Sequence, residues 1–344
     1  MRNGTNVKKP ATGVYRLFGF NLVSDYPFSR FPYTGVAGLN LETQPPTIYF
    51  VCDNQPPFPV DVAQGVLIYS SPFPSATSEN SVCFYRFQTF DLLRFSEIGD
   101  FFLRSNRIDC HLYYDPPQHL TEDLFLGAVM SVWLELRNIP VLHASAVVIN
   151  GQLVVFPADS GMGKSTLATA LLQAGHASLF TDDILPLEDR LDGFWSHPGA
   201  PGLNLFPVQS EYFWGKPDFP SATKNALSPA KKHIPVGTDQ LDSINRKSLA
   251  LKYIYLPCRL EHRASDANIK IAPVGPAEAV IELLRHSYAR PIVEQLGWQG
   301  RRLDFFARLV EQVPVRRLTY PSGFEHLPRV TEAVVNDLEK LHPN

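Results

Sequence analysis

Residues 152–175 run through a short apolar segment, a glycine-bearing turn and a helical pattern with nothing between them: QLVVF, PADSGMGK and STLATALLQAG. A strand that feeds a helix through such a turn commits this part of the chain to an α/β arrangement. The turn follows G-x-x-x-x-G-K-[ST] except that Ala158 stands where the first glycine is expected, while Gly161 and Gly163 remain. In this motif loop amides and the open helix N-terminus point at anionic oxygens, a lysine adds positive charge and a hydroxyl offers a magnesium ligand. The expected phosphate-contacting set is therefore Ala158, Asp159, Ser160, Gly161, Met162, Gly163, Lys164, Ser165 and Thr166, with Ser165 on the metal. A methyl group at Ala158 is harmful only if that position needs a positive φ.

The segment HASLFTDDI then reads as a second strand ending in Asp182 and Asp183. A right-handed crossover makes it parallel to the first and puts its carboxyl end on the edge that carries the loop. There one carboxylate can hold Mg²⁺, directly or through water, and the other can accept the proton of an attacking hydroxyl. The same pair elsewhere would be an ordinary capping or turn-forming dipeptide. VLHASAVVI and QLVVF are separated only by Asn150 and Gly151, a tight-hairpin signal. With a two-residue turn, Ile149 faces Gln152, and counting back along the pair sets His143 opposite Ala158. His143 is thus expected beside the loop mouth, as a donor to the terminal phosphate or a partner of the acidic pair.

With 344 residues, 44% of them hydrophobic, the chain has material for two packed domains. The first third is rich in aromatic and β-branched runs: VYRLFGFNLVS, TIYFV, GVLIYS, VCFYRFQTFDLLRF and IDCHLYY read as strands of a mainly antiparallel sheet. Residues 70–81 read as a surface loop. Residues 123–138 have apolar residues at helical spacing, with Thr121 as the expected N-cap. Helices are also expected in PAEAVIELLRHSYA, GRRLDFFARLVEQV and LPRVTEAVVNDLEKL. The resulting division is a β-rich domain over residues 1–120, a candidate for substrate recognition, and a nucleotide-binding catalytic domain over residues 121–344. Residues 214–237 show little periodicity and are expected to form a mobile excursion near the site, carrying Lys231 and Lys232.

A net charge of −3 with both signs interspersed recommends neither nucleic acid nor a membrane as partner. The opening MRNGTNVKKPATGVYR has no apolar run, and no stretch of about eighteen apolar residues occurs, so the expected location is the cytoplasm. Cys52, Cys83, Cys110 and Cys258 show no metal-ligand spacing and are expected as buried free thiols. Arg285, Arg301, Arg302 and Arg308 on late helices, with Arg316 and Arg317 in a strand, read mostly as surface charges. Homo-oligomerisation stays open.

LHASAVVINGQLVVFPADSGMGKSTLATALLQAGH and TDDI together resemble the catalytic domain of HPr kinase/phosphorylase, a bacterial serine kinase related to phosphoenolpyruvate carboxykinases. The resemblance extends more loosely over residues 121–344. It departs at Ala158, in one residue added before the aspartates, at Ile184 where arginine is common, and in lacking a later ELRG-type signature. YRLFGFNLVSDYPF, HPGAPGLNLFP and VPVRRLTYPSGFEHLPRV are similar to HPr-kinase-like proteins of peptide-modification clusters, lasso-peptide precursor kinases among them. What the resemblance implies is a phosphate-loop kinase domain using ATP and Mg²⁺. Lys164 and Ser165 are then on the phosphates and metal, Asp182 on the metal, Asp183 as base and His143 as the family histidine. The implied acceptor is a serine hydroxyl on a peptide or small protein. A small-molecule acceptor, or a non-catalytic nucleotide-binding scaffold, fits the same residues.

Overall fold

The structure, a computed structural model, describes residues 12–31, 45–75, 78–215, 231–236, 247–260 and 268–341. Residues 216–230 and 237 of the expected excursion lie outside this set, as do residues 1–11 of the opening segment and 76–77 of the 70–81 loop. Two compact units are present, Met1–Glu122 and Asp123–Asn344.

The first unit is built on β1 Gly13–Leu17, β2 Phe20–Ser24, β3 Thr47–Asp53, β4 Val66–Ser70, β5 Val82–Arg86, β6 Asp91–Phe95, β7 Gly99–Leu103 and β8 Arg107–Leu112. They form one eight-stranded sheet in the order β1-β2-β3-β8-β7-β6-β5-β4. VYRLFGFNLVS is a hairpin rather than one strand, because Phe18 and Gly19 take φ of 50° and 82° at its centre. Most pairs are antiparallel as expected, but β2 with β3 and β3 with β8 run parallel. Both parallel pairs are joined by connections far longer than a tight turn, which is what parallel pairing requires. Phe50, Phe84, Phe101 and Phe102 are fully buried and supply much of the core, at about 1.5–3 kcal/mol each for full burial.

α1 Gln118–Leu124 runs from the end of the first unit into the second, which continues with a π turn Phe125–Val129, α2 Met130–Glu135, β9 Val141–Ile149, β10 Gln152–Pro157 and α3 Lys164–Gln173. The helical run starts at Gln118, so Thr121 lies inside it and does not cap it. Pro117 immediately precedes the first turn, where a missing N–H costs nothing, and outcompetes the threonine as a start signal. There follow β11 Ser178–Thr181, β12 Ile184–Pro186, β13 Glu188–Arg190, β14 Gly193–Ser196, β15 Leu203–Leu205, α4 Pro207–Trp214 and β16 Lys232–Ile234. The remainder is β17 Leu249–Leu260, β18 Lys270–Pro273, α5 Pro276–Arg285, α6 Arg290–Gln295, α7 Gln299–Gln312, β19 Val315–Pro321 and α8 Leu327–Leu341. The unit is mixed α/β, with a nine-stranded sheet along β11-β9-β10-β17-β14-β13 and a separate β15-β16 ribbon.

Period-two alternation assigns the two faces of β9. Leu142, Ala144, Ala146 and Val148 join one core with Leu283, Phe306 and Leu309 of α5 and α7. Val147 and Ile149 join the other with Leu167 and Leu171 of α3 and Val334 of α8. His143 and Ser145 have the odd parity, so they share the face on which α3 lies. Asn150 and Gly151 close the β9–β10 hairpin with φ of 49° and 77°, the two left-handed centres that a type I′ turn needs.

Several basic residues are not the surface charges their positions suggest. Arg302 is buried in α7 against Glu135 of α2, Arg316 pairs with Asp337, and Arg317 pairs with Glu278 and Glu282. All four cysteines are free; Cys83 and Cys110 are buried, Cys52 and Cys258 only half-buried. No helix among the described residues is long and apolar enough to cross a membrane.

Candidate functional site

The hairpin register runs from Gln152 opposite Ile149 to Pro157 opposite Ala144. One step further, the Ala158 N–H donates to the His143 carbonyl at 3.3 Å, so His143 does stand at the mouth of the loop. Ala158 is 2% exposed and is not among the residues with positive φ, which answers the departure from the glycine pattern: an ordinary backbone accepts a β-carbon. Gly163 is different. It takes φ 92° as the left-handed N-cap of α3, a conformation that side chains disfavour. Two loop amides are already taken within the protein, Ala158 by His143 and Met162 by the Asp159 carbonyl at 3.2 Å. Ser160, Gly161 and Met162 are exposed, and Thr166 is half-buried. Ala158→Gly is expected to leave activity unchanged and to lower stability by about 0.4–1 kcal/mol by loosening the unfolded chain. A urea midpoint with an activity assay checks both.

Asp182 and Asp183 fall between β11 and β12, both antiparallel to β9. Because β10 is also antiparallel to β9, β11 runs parallel to β10 with β9 between them, and the acidic pair ends on the loop's edge. Asp183 holds φ 69°, which aspartate tolerates better than most side chains. This turn sends the two carboxylates to different partners. Asp182 Oδ1 accepts from the hydroxyls of Ser145 and, at 2.9 Å, Ser165, while its Oδ2 accepts the Asn204 N–H at 2.9 Å. Asp183 Oδ1 faces basic side chains: Lys231 Nζ at 3.4 Å, Lys164 Nζ at 3.8 Å and His143 Nε2 at 3.8 Å. Its Oδ2 accepts from Asn204 Nδ2 at 2.7 Å.

Lys164 is only 2% exposed, and burial lowers the pKa of its ammonium. Burial likewise lowers the His143 imidazole. Burial works against ionising Asp183, yet Lys231, His143 and Lys164 outweigh it and hold its carboxyl well below the usual carboxylate range. Asp182 moves the other way, pushed up by burial and then by the charge on Asp183. Two adjacent carboxyls with opposed shifts are what unlike roles require.

Five residues of the site were not singled out from the sequence, or were left without a role. Ser145 follows from the parity of β9 and could have been found there. Asn204 and His233 meet because β15 pairs with β16, Asn204 opposite His233; the His233 Nδ1 to Asn204 Oδ1 distance is 3.3 Å. The same ribbon brings in Lys231, and strand alternation turns Lys232 to the other face. Gly202, in the PG-containing segment, takes φ 102°, and a β-carbon there would lie 2.3 Å from the His233 ring, so glycine is needed for the ribbon to close. Asp159 is held from α5, by Arg285 at 3.1 Å and by His286 at 3.2 Å. A cleft runs between Gly161, Lys164, Ser165, Asn204, Phe206 and Lys231. A larger cavity of about 200 Å³ lies along α3 beside Thr169, Gln173 and Trp214, without a titratable side chain among its described lining residues.

No family model matches the chain, and no curated protein matches it. Among solved structures it is similar to the Hpr(Ser) kinase/phosphatase from Coxiella burnetii, with 12% identity, a TM-score of 0.31, and coverage of 58% of this chain and 92% of that one. At that level of overlap neither the fold nor the activity of the neighbour is carried across, and the reading of the site rests on its own geometry.

Proposed function

We propose that the protein is an ATP- and Mg²⁺-dependent kinase that transfers phosphate to a serine hydroxyl on a peptide or small protein, a lasso-type precursor peptide being one candidate. The observation that carries this reading is the convergence of Lys164, Ser165, Asp182, Asp183 and His143 at the mouth of a strand–loop–helix unit. Ser165 Oγ and Asp182 Oδ1 are an all-oxygen donor pair of the kind Mg²⁺ accepts together with waters and phosphate oxygens. The metal, when bound, neutralises charge on the phosphates. Lys164, with Lys231 beside it, faces the same space and opposes charge developing on the transferred group.

Asp183 is the acceptor-side carboxylate. Held ionised at the pH of the cytoplasm, where this reading places the protein, it takes the proton of the serine hydroxyl as the hydroxyl oxygen bonds to the γ-phosphorus. The bond from that phosphorus to the β,γ-bridging oxygen breaks, and ADP leaves. His143, kept neutral by burial, orients Asp183 or donates to the terminal phosphate. For the acceptor, the first unit offers an eight-stranded sheet with β4 at one end of its described strands, and a strand at a sheet edge can hold an extended peptide through backbone hydrogen bonds.

The test is incubation with Mg·ATP and a panel of serine-containing precursor peptides, HPr-like proteins and hydroxylated metabolites, with added phosphate located by mass spectrometry. Labelling of a peptide serine supports the reading. Labelling of metabolites alone overturns the peptide acceptor, and nucleotide binding with no transfer to any acceptor supports a scaffold instead.

A further inference from the structure

Asn204 contacts both members of the acidic pair with different atoms. Its main-chain N–H donates to Asp182 Oδ2 at 2.9 Å, and its side-chain amide donates to Asp183 Oδ2 at 2.7 Å. The amide cannot turn over freely, since its Oδ1 lies 3.3 Å from His233 Nδ1 on the facing strand. Flanking Leu203 and Leu205 are buried, which fixes the strand that carries it.

The arrangement has a geometric consequence. A carboxylate has two oxygens, and one held by a fixed donor leaves the other with a defined direction. With Oδ2 of Asp183 on Asn204, Oδ1 is turned toward Lys231, Lys164 and His143. With Oδ2 of Asp182 on the Asn204 main chain, Oδ1 is turned toward Ser165. One residue therefore sets the facing of both carboxylates, and it does so through a ribbon separate from the sheet that carries them. Asp183 sits in a left-handed backbone conformation, so its side chain has no regular strand to set its direction.

We propose that Asn204, with His233 fixing its amide, is the positioning residue that splits the acidic pair into a metal-side and an acceptor-side carboxylate. The proposal rests on the kinase reading for its catalytic consequence and on the site geometry alone for its structural one. Asn204→Ala retains the main-chain bond to Asp182 and removes the side-chain contacts with Asp183 and His233, which separates the two functions.

Asn204→Ala is expected to lower kcat for phosphate transfer by about 10- to 100-fold, the range for losing a hydrogen bond to a charged group. KM for Mg·ATP should change by less than about threefold, because the contacts of the phosphate loop are untouched. His233→Ala, which keeps the amide but frees its orientation, should lower kcat by about two- to tenfold. Crystal structures of wild type and Asn204→Ala should differ in the direction of the Asp183 carboxylate and agree at Asp182. Unchanged kcat with an unmoved Asp183 overturns the proposal, as does an equal loss of kcat and nucleotide affinity, which marks a merely structural residue. If wild type transfers no phosphate, the kinase reading fails, and the crystallographic comparison decides the role of Asn204 by itself.

Discussion

Asp183→Asn is expected to lose phosphate transfer by about 10² to 10⁴, the usual contribution of a positioned general base, while keeping its affinity for Mg·ATP. The substitution preserves the size of the side chain and removes the charge that faces Lys231, Lys164 and His143 at 3.4, 3.8 and 3.8 Å. Removing that charge also removes a neighbour that pushes the pKa of Asp182 up, so binding on the metal side is not weakened. Asp182→Asn should do the opposite. It takes the carboxylate from Ser165, so nucleotide binding that depends on Mg²⁺ should weaken along with transfer. Steady-state kinetics and a nucleotide-binding titration on both variants read the two effects. Binding lost in Asp183→Asn and kept in Asp182→Asn would reverse the assignment of roles.

Arg302→Ala is expected to destabilise the protein by about 3–5 kcal/mol, because it leaves a buried carboxylate without its cation. Arg302 and Glu135 are 5% and 4% exposed. They are paired directly, with Arg302 Nη1 also donating to Ser287 Oγ at 2.8 Å and Glu135 Oε1 accepting the Val141 N–H at 2.9 Å. Burial already raises the carboxyl of Glu135 against the opposing charge of Arg302, and the variant raises it further. A folded-state pKa above the unfolded one means stability that is full below the ordinary glutamate range and is lost as pH rises. The deficit of Arg302→Ala should therefore be larger at pH 7 than at pH 4, and an Arg302→Met, Glu135→Leu double variant should recover most of it. Urea unfolding at the two pH values measures this. A deficit below about 1 kcal/mol, or one that is independent of pH, would contradict the account. The network also reaches the site: Ser287 bridges to Leu142, and the His286 carbonyl accepts the His143 N–H at 2.8 Å.

What could be read from the chain was what local chemistry decides. Asn150 and Gly151 impose the turn, the turn imposes the register, and the register alone places His143 at the loop mouth and Ser145 on the face of α3. The strand–loop–helix unit and the position of the acidic pair follow from patterns within some forty residues of one another. The failures have physical causes of the opposite kind. Asn204 and His233 are brought to Lys231, itself expected near the site, by pairing Leu203 with Ile234, and nothing local announces a short ribbon whose strands are separated by a helix and a long connection. Strand alternation does not encode direction, so the parallel neighbours of β3 were not visible. Arg302 was hidden because its partner Glu135 lies on another helix, and an isolated arginine in an amphipathic pattern looks solvated. Thr121 suits a cap by its type, whereas the proline-led start three residues earlier governs the helix.

Calorimetric titration of ATP into the wild-type protein and into Lys164→Ala, with and without Mg²⁺, measures the central claim directly. The account predicts saturable one-site binding to wild type that strengthens with Mg²⁺ and weakens by about 10- to 100-fold in Lys164→Ala, as for the loss of a charged hydrogen bond, with the circular dichroism spectrum unchanged. Wild-type protein that binds no nucleotide, or a Lys164→Ala variant that binds it equally well, would contradict the account.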